Sequence, residues 1–189
     1  MAYEKEWYES LSGMRPHNER ALWGVFAHLG RPSSFLDMGC GDGWLVYTAR
    51  TAGVPTSVGV EVSPDAATVA PMGTEIITHD LGKPLGLGKI FDLVISWEVA
   101  EHLDESCADE FVRNLARHTG RYLVFTAAVV GQGGYHHVNC QPLEYWRDKL
   151  HFAGMRYEQP LTDALRETWR NTVGPLVWLP NNVQVFRVV

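Results

Sequence analysis

The sequence predicts an α/β fold, a mostly parallel sheet with helices on both faces. Three observations lead there. Short apolar runs alternate with helix-length amphipathic segments along most of the chain. The first apolar run passes directly into Gly39-Cys40-Gly41-Asp42-Gly43, a glycine loop followed by a helix-forming stretch. Acids stand at or just after the ends of three successive apolar runs: Asp37, Glu61 and Asp80.

The elements follow in order. Residues 5–11 and 19–29 read as helices. In the second, Leu22, Val25, Phe26 and Leu29 recur at helical spacing, and Gly30-Arg31-Pro32 stops it. Residues 34–38 read as a buried strand and 44–52 as a helix ended by Gly53 and Pro55. Residues 57–62 form a second strand. Ser63-Pro64 then offers an N-cap and first-turn pair for another helix. Residues 74–78 and 91–96 are the third and fourth strands. Ser106 with Asp109 resembles a capping box ahead of a helix bearing Ala108, Phe111, Val112 and Leu115 on one face. Residues 121–126 are the fifth strand and 131–141 a loop rich in glycine and histidine. Residues 142–152 are a helix with Leu143, Trp146 and Leu150 inward. Residues 155–158 and 183–188 close the sheet as a hairpin-like antiparallel end, with a short helix near 162–171 between them.

Composition narrows the function. The chain has 189 residues, 46% of them hydrophobic and 20% charged, enough for one globular core. A formal charge of −6 and the lack of any Lys/Arg cluster argue against a nucleic-acid partner. Three scattered cysteines, Cys40, Cys107 and Cys140, suit reduced thiols in a cytoplasmic protein. The acidic start lacks a signal-peptide core, and no apolar run is long enough for a membrane span. No repeat or composition break marks a second domain, and nothing sets an oligomeric state.

In an open α/β sheet, ligands bind at the carboxyl ends of the strands. Glycines there let the backbone approach the ligand, and the helix start offers N–H groups. Such glycines can also mark nothing more than a tight turn. The acids sharpen the reading. Asp37, two residues before the loop, suits an ammonium group and sits badly beside a pyrophosphate. Glu61 stands where an acid accepts ribose hydroxyls, and Asp80 where one accepts from an adenine amino group. Together they describe a ligand made of amino acid, ribose and adenine.

The strings D-M-G-C-G-D-G-W, V-G-V-E-V-S, H-D-L and F-D-L-V-I-S-W-E-V-A-E-H-L resemble the successive motifs of class I S-adenosylmethionine-dependent methyltransferases, over roughly residues 33–189. The resemblance implies a Rossmann-like seven-stranded sheet with its last strand antiparallel. It places Asp37, Gly39 and Gly41 around the methionine part of S-adenosyl-L-methionine, Glu61 at the ribose, and Asp80 with Leu81 at the adenine. Ser96 and Trp97 would line the methyl-donor region. Cys40, Gly43, Trp44 and Val62 complete the expected cofactor set. Residues 1–189 are expected to form a single methyltransferase domain, with 1–30 a helical extension serving as lid or substrate wall.

A hydroxyl acceptor needs a base. Glu98, Glu101 and His102 follow the fourth strand in a string that resembles the small-molecule branch of the family, though they could simply organise the next helix. His136 and His137 sit in the glycine-rich loop after the fifth strand, as a lid carrying a base would. The candidate bases are therefore His137, His136 and His102. His136, His137, Asn139 and Cys140 lie too close in sequence for a usual metal site, so no metal is expected. Ser96-Trp97-Glu98-Val99 replaces the Asn/Asp-Pro-Pro-aromatic signature of DNA amino-methyltransferases. The expected reaction is methyl transfer to an oxygen, with less support for a nitrogen, of a small molecule or sugar. Two other readings compete. One is a non-catalytic module that binds the cofactor. The other is an NAD-dependent oxidoreductase, against which stand the GxGxG spacing, Asp37 and Asp80.

Overall fold

The computed structural model describes residues 4–189. The first helix, α1 (Lys5–Ser10), passes through a 3₁₀ turn, Leu11–Met14, into α2 (Arg15–Leu29). The second helix starts four residues before the expected residue 19, because Pro16 is well suited to a first helical turn. The chain then alternates through β1 (Ser34–Met38), α3 (Trp44–Thr51), β2 (Thr56–Glu61), α4 (Asp65–Val69), β3 (Glu75–Thr78) and β4 (Phe91–Trp97). It continues with α5 (Ala108–His118), β5 (Thr119–Thr126), α6 (Leu143–Phe152), β6 (Met155–Tyr157), α7 (Gln159–Thr172), α8 (Trp178–Asn182) and β7 (Gln184–Val188).

All seven strands join one sheet in the order β3-β2-β1-β4-β5-β7-β6. β1 to β5 are parallel, β7 is antiparallel to β5, and β6 is antiparallel to β7. The antiparallel end is expected, but it is not a hairpin: α7 and α8 lie between β6 and β7. The capping box at Ser106 does not form. A 3₁₀ turn over Glu105–Cys107 absorbs Ser106, and Asp109 pairs instead with Lys149 of α6. Pro64, not Ser63, takes the N-cap position of α4; Ser63 Oγ accepts the Asp65 N–H at 3.3 Å from one residue further back, and the helix is only five residues long.

Side chains alternate across the sheet with the period of two that strands impose. Phe35, Leu93, Ile95 and Val124 face a core completed by α2, α3, α7 and α8. Leu36, Met38, Val94, Leu123 and Phe125 face a second core under α5 and α6. Trp169 of α7 ties the first layer together: its Nε1 donates to the Ala21 carbonyl at 2.9 Å, and its ring meets that of Trp97 edge-on at 5.1 Å. No helix among the described residues is long and apolar enough to cross a membrane.

The strand order reverses between β1 and β4, so connections leave these neighbours in opposite directions. A crevice must open at their carboxyl ends, and ligands of such sheets bind there.

Candidate active site

A cavity of about 540 Å³ occupies that crevice, within the ~300–1,000 Å³ usual for small-molecule sites. Asp37, Gly39, Cys40, Gly41, Trp44, Glu61, Val62, Asp80, Leu81 and Trp97 line it, as the motifs predict. Two expected cofactor residues do not. Ser96 is fully buried and donates its hydroxyl to the Met38 carbonyl at 2.7 Å, fastening β4 to β1. Gly43 has a φ of 71°, and a Cβ there would sit 2.8 Å from Ile76 Cδ1. It therefore closes the turn into α3 against β3. Gly39, by contrast, is on the wall. Its φ is 85°, and a Cβ would sit 2.3 Å from Val99 Cγ2.

The donor end of the cavity is strongly acidic. Glu61 accepts the main-chain N–H of Gly41 at 3.0 Å and of Val62 at 2.7 Å. Burial nevertheless raises its carboxyl above the usual range. Burial, then Glu61 and Asp42, push the Asp37 carboxyl well above its ordinary value. The same surroundings raise the Cys40 thiol, burial first, so Cys40 is a neutral wall residue. Asp42 has a cation of its own, Arg15 at 2.7 Å, whose guanidinium also lies over the Trp44 ring at 4.9 Å. Asp80 is more open. Partial burial works to raise its carboxyl, but the Gly82 N–H and Lys83 outweigh this and hold it below the usual range.

These features fit S-adenosyl-L-methionine. Among the described residues neither Asp37 nor Glu61 forms an ion pair, and a ligand carrying an ammonium and a sulfonium supplies matching charge.

The opposite end combines the turn after β4 with the segment 127–142. Glu98, in left-handed conformation at φ 54°, accepts from Gln132 Nε2 at 2.9 Å and Asn182 Nδ2 at 3.1 Å. Burial raises its carboxyl. Glu101 is fully buried, and neither carboxylate oxygen has a hydrogen-bond partner. Burial, then Glu98, push it up to about 8. Its main-chain carbonyl accepts from the Val138 and Asn139 N–H groups at 2.9 and 3.0 Å. Those bonds bring His137 to the cavity, with Nε2 3.9 Å from Glu101 Oε1. The rings of His102 and His137 meet edge-on at 5.0 Å. Burial, with His137 and His136 nearby, lowers His102 and favours neutral imidazole.

Of the candidate bases, His102 and His137 line the cavity and His136 does not. His136 holds a left-handed φ of 60°, which turns its ring off the wall and presents its carbonyl to His102 Nδ1 at 3.2 Å.

Of the other wall residues, the sequence offers Trp7 and Tyr8 as aromatics that form either pocket wall or core, and residues 1–30 as a lid or wall, whereas it singles out none around α8. Trp7, Leu11, Met14 and Asn18 come from the N-terminal helices, and Leu176, Trp178 and Leu179 from the connection around α8. Tyr8, fully buried, reaches Glu61 and Ser63 from α1. Gln132 and Asn182 hold Glu98 from opposite sides.

A parallel sheet with this switch point, a glycine loop and acids at three strand ends defines a class I S-adenosylmethionine-dependent methyltransferase. Residues 14–163 match the family described as methyltransferase domain, and the chain belongs to it. Its cofactor is S-adenosyl-L-methionine, and the oxidoreductase reading falls away. No curated protein matches the sequence. Several solved structures share the fold. The sugar N-methyltransferase KedS8 from Streptoalloteichus is 20% identical, over 84% of this chain and 87% of that one, with a TM-score of 0.66. CalS10, an amino pentose methyltransferase from Micromonospora echinaspora, is 15% identical over 100% and 98%, with a TM-score of 0.70. Streptomyces venezuelae DesVI is 14% identical over 97% and 95%, with a TM-score of 0.69.

Proposed function

We propose that this methyltransferase acts on a hydroxyl oxygen of a small molecule or sugar. The observation that carries the reading is the Glu101, His102 and His137 group, which stands on the cavity wall beyond the methyl-donor end. The cofactor supplies an electrophilic methyl group when bound. An amine acceptor needs only to be neutral, whereas an alcohol needs its proton removed, and assistance of that kind contributes roughly 10²–10⁴ in rate. Two imidazoles and a buried carboxylate suit the second task.

The remaining residues position and enclose. Asp37, Glu61 and Asp80 hold the cofactor by its ammonium, ribose and adenine. Trp7, Leu11 and Met14 form an apolar wall on one side, and Leu176, Trp178 and Leu179 on the other. The N-terminal helices act as a lid that keeps water from the donor, where alignment and dryness assist transfer. The enclosed volume, and a described lining without Lys or Arg, suit a compact acceptor rather than a polymer. Single-turnover transfer of a labelled methyl group, tested on matched polyol, phenol and amine panels, checks the reading. Labelling of hydroxyl compounds supports it. Transfer confined to amines refutes the oxygen assignment. Binding of S-adenosylhomocysteine without transfer to any panel favours the cofactor-binding module.

A further inference from the structure

We propose that Glu101, His102 and His137 bind a divalent transition-metal ion, which in turn binds the acceptor's oxygen. The substrate part rests on the methyltransferase reading above; the ion site stands on geometry alone.

One ligand atom from each of the three residues lies within 4.8 Å of the others. Atoms around a shared ion at ~2.0–2.2 Å sit roughly 3–3.6 Å apart, so the side chains need close by only about an ångström. Glu101 gives the strongest sign. A fully buried carboxylate with both oxygens unpartnered is costly unless a cation or donor completes it. His137 Nε2 lies 3.9 Å from Glu101 Oε1.

The imidazoles are oriented as ligands. His102 Nδ1 faces the His136 carbonyl at 3.2 Å, and His137 Nδ1 faces the Gln132 carbonyl at 3.2 Å. A carbonyl can only accept, so each Nδ1 donates, and in the neutral ring this leaves Nε2 as the ligand atom. Backbone carbonyls commonly fix metal-binding histidines in this way. Gly134 makes the arrangement possible, since a Cβ there would lie 2.1 Å from His137 Nε2.

Two nitrogens and one carboxylate oxygen suit zinc, manganese, iron, cobalt or nickel rather than calcium. Three protein ligands leave coordination positions open toward the cavity. A coordinated alcohol loses its proton more readily, as water does on zinc. The proton passes to bulk water, the oxygen's electron pair forms the bond to the methyl carbon, and the carbon–sulfur pair stays on sulfur. Acceptors with two adjacent oxygens, such as vicinal diols or catechols, would bind best by chelation. The sequence-based expectation of no metal weighed only the neighbours of His137 in the chain. This site joins two distant loops.

The test is titration of the chelator-treated full chain with cobalt(II), read by calorimetry and visible absorption, beside a titration with S-adenosylhomocysteine. One ion per chain is expected. Glu101→Gln and His137→Gln should each weaken binding by at least ~10–100-fold with melting transitions retained. Cys140→Ser should leave it unchanged, since the thiol lies 3.7 Å from His137 Nδ1 rather than on the Nε2 side. A chain that binds S-adenosylhomocysteine but not cobalt overturns the ion site, as does cobalt binding undiminished in both variants. Cobalt binding without S-adenosylhomocysteine binding supports the ion site and overturns the methyltransferase reading.

Discussion

Glu61 accepts the main-chain N–H of Gly41 at 3.0 Å, so the acid at the end of β2 also holds the glycine loop after β1. One side chain thus shapes the glycine loop and is the one proposed to hold the ribose. Glu61→Ala should weaken S-adenosylhomocysteine by ~10–100-fold, the equivalent of about 1.5–3 kcal/mol for a charge-assisted bond. Glu61→Gln, which retains one accepting oxygen, should fall between. Calorimetric affinities equal to those of the parent would show that the ribose is held elsewhere.

Asp37 sets function against stability. Burial, then Glu61 and Asp42, raise its carboxyl in the folded chain above the unfolded value. Between the two values the folded chain binds more protons. Its stability without ligand is therefore greatest below the unfolded value and declines as pH rises toward the folded one. Asp37→Asn should remove that decline and raise the melting temperature at neutral pH. Each 1 kcal/mol corresponds to about 2–4 °C in a chain of this size. The same change should shrink the further rise caused by S-adenosylhomocysteine, because a neutral amide matches an ammonium poorly. Scanning calorimetry across pH, with and without ligand, checks both; a variant that melts lower at pH 7 contradicts the account.

Gly39 and Gly43 should fail differently. Both occupy left-handed conformations that an alanine adopts only under strain. Gly43→Ala presses on Ile76 and should cost stability, roughly 1–3 kcal/mol for such strain, with modest loss of affinity once folded. Gly39→Ala presses on Val99 at the cavity wall and should weaken S-adenosylhomocysteine more than it lowers the melting temperature. Denaturant melts paired with calorimetric titration separate the two; equal affinity losses would place Gly43 on the ligand after all.

How much was legible follows from the range of each interaction. Strand alternation and the loop from Asp37 to Gly43 are local, so most of the cavity lining at the ends of β1, β2 and β3 could be read from the chain. Ser96 was misplaced because strand position alone does not say which face a residue takes, and its hydroxyl turned to Met38. The acceptor half depends on contacts across the chain. Glu101 reaches His137 only through main-chain bonds to Val138 and Asn139. Asn182 reaches Glu98 only because β7 inserts beside β5. The left-handed turn at His136 has no glycine to announce it, so two adjacent histidines looked equivalent.

They should not behave as equivalent. His137 lines the cavity beside Glu101, whereas His136 turns its ring off the wall and contributes its carbonyl to His102. His137→Ala should reduce methyl transfer to a hydroxyl acceptor by at least ~10², with S-adenosylhomocysteine affinity unchanged, because the acids proposed to hold the cofactor are Asp37, Glu61 and Asp80. His136→Gly keeps the carbonyl and suits the left-handed φ of 60°. It should retain turnover within a few-fold, with little loss of folding stability. Single-turnover rates with the acceptor found in the labelling screen, measured beside affinity, test the contrast. If His136→Gly is the inactive variant and His137→Ala the active one, the loop must close on the acceptor in another arrangement, with the His136 ring inward.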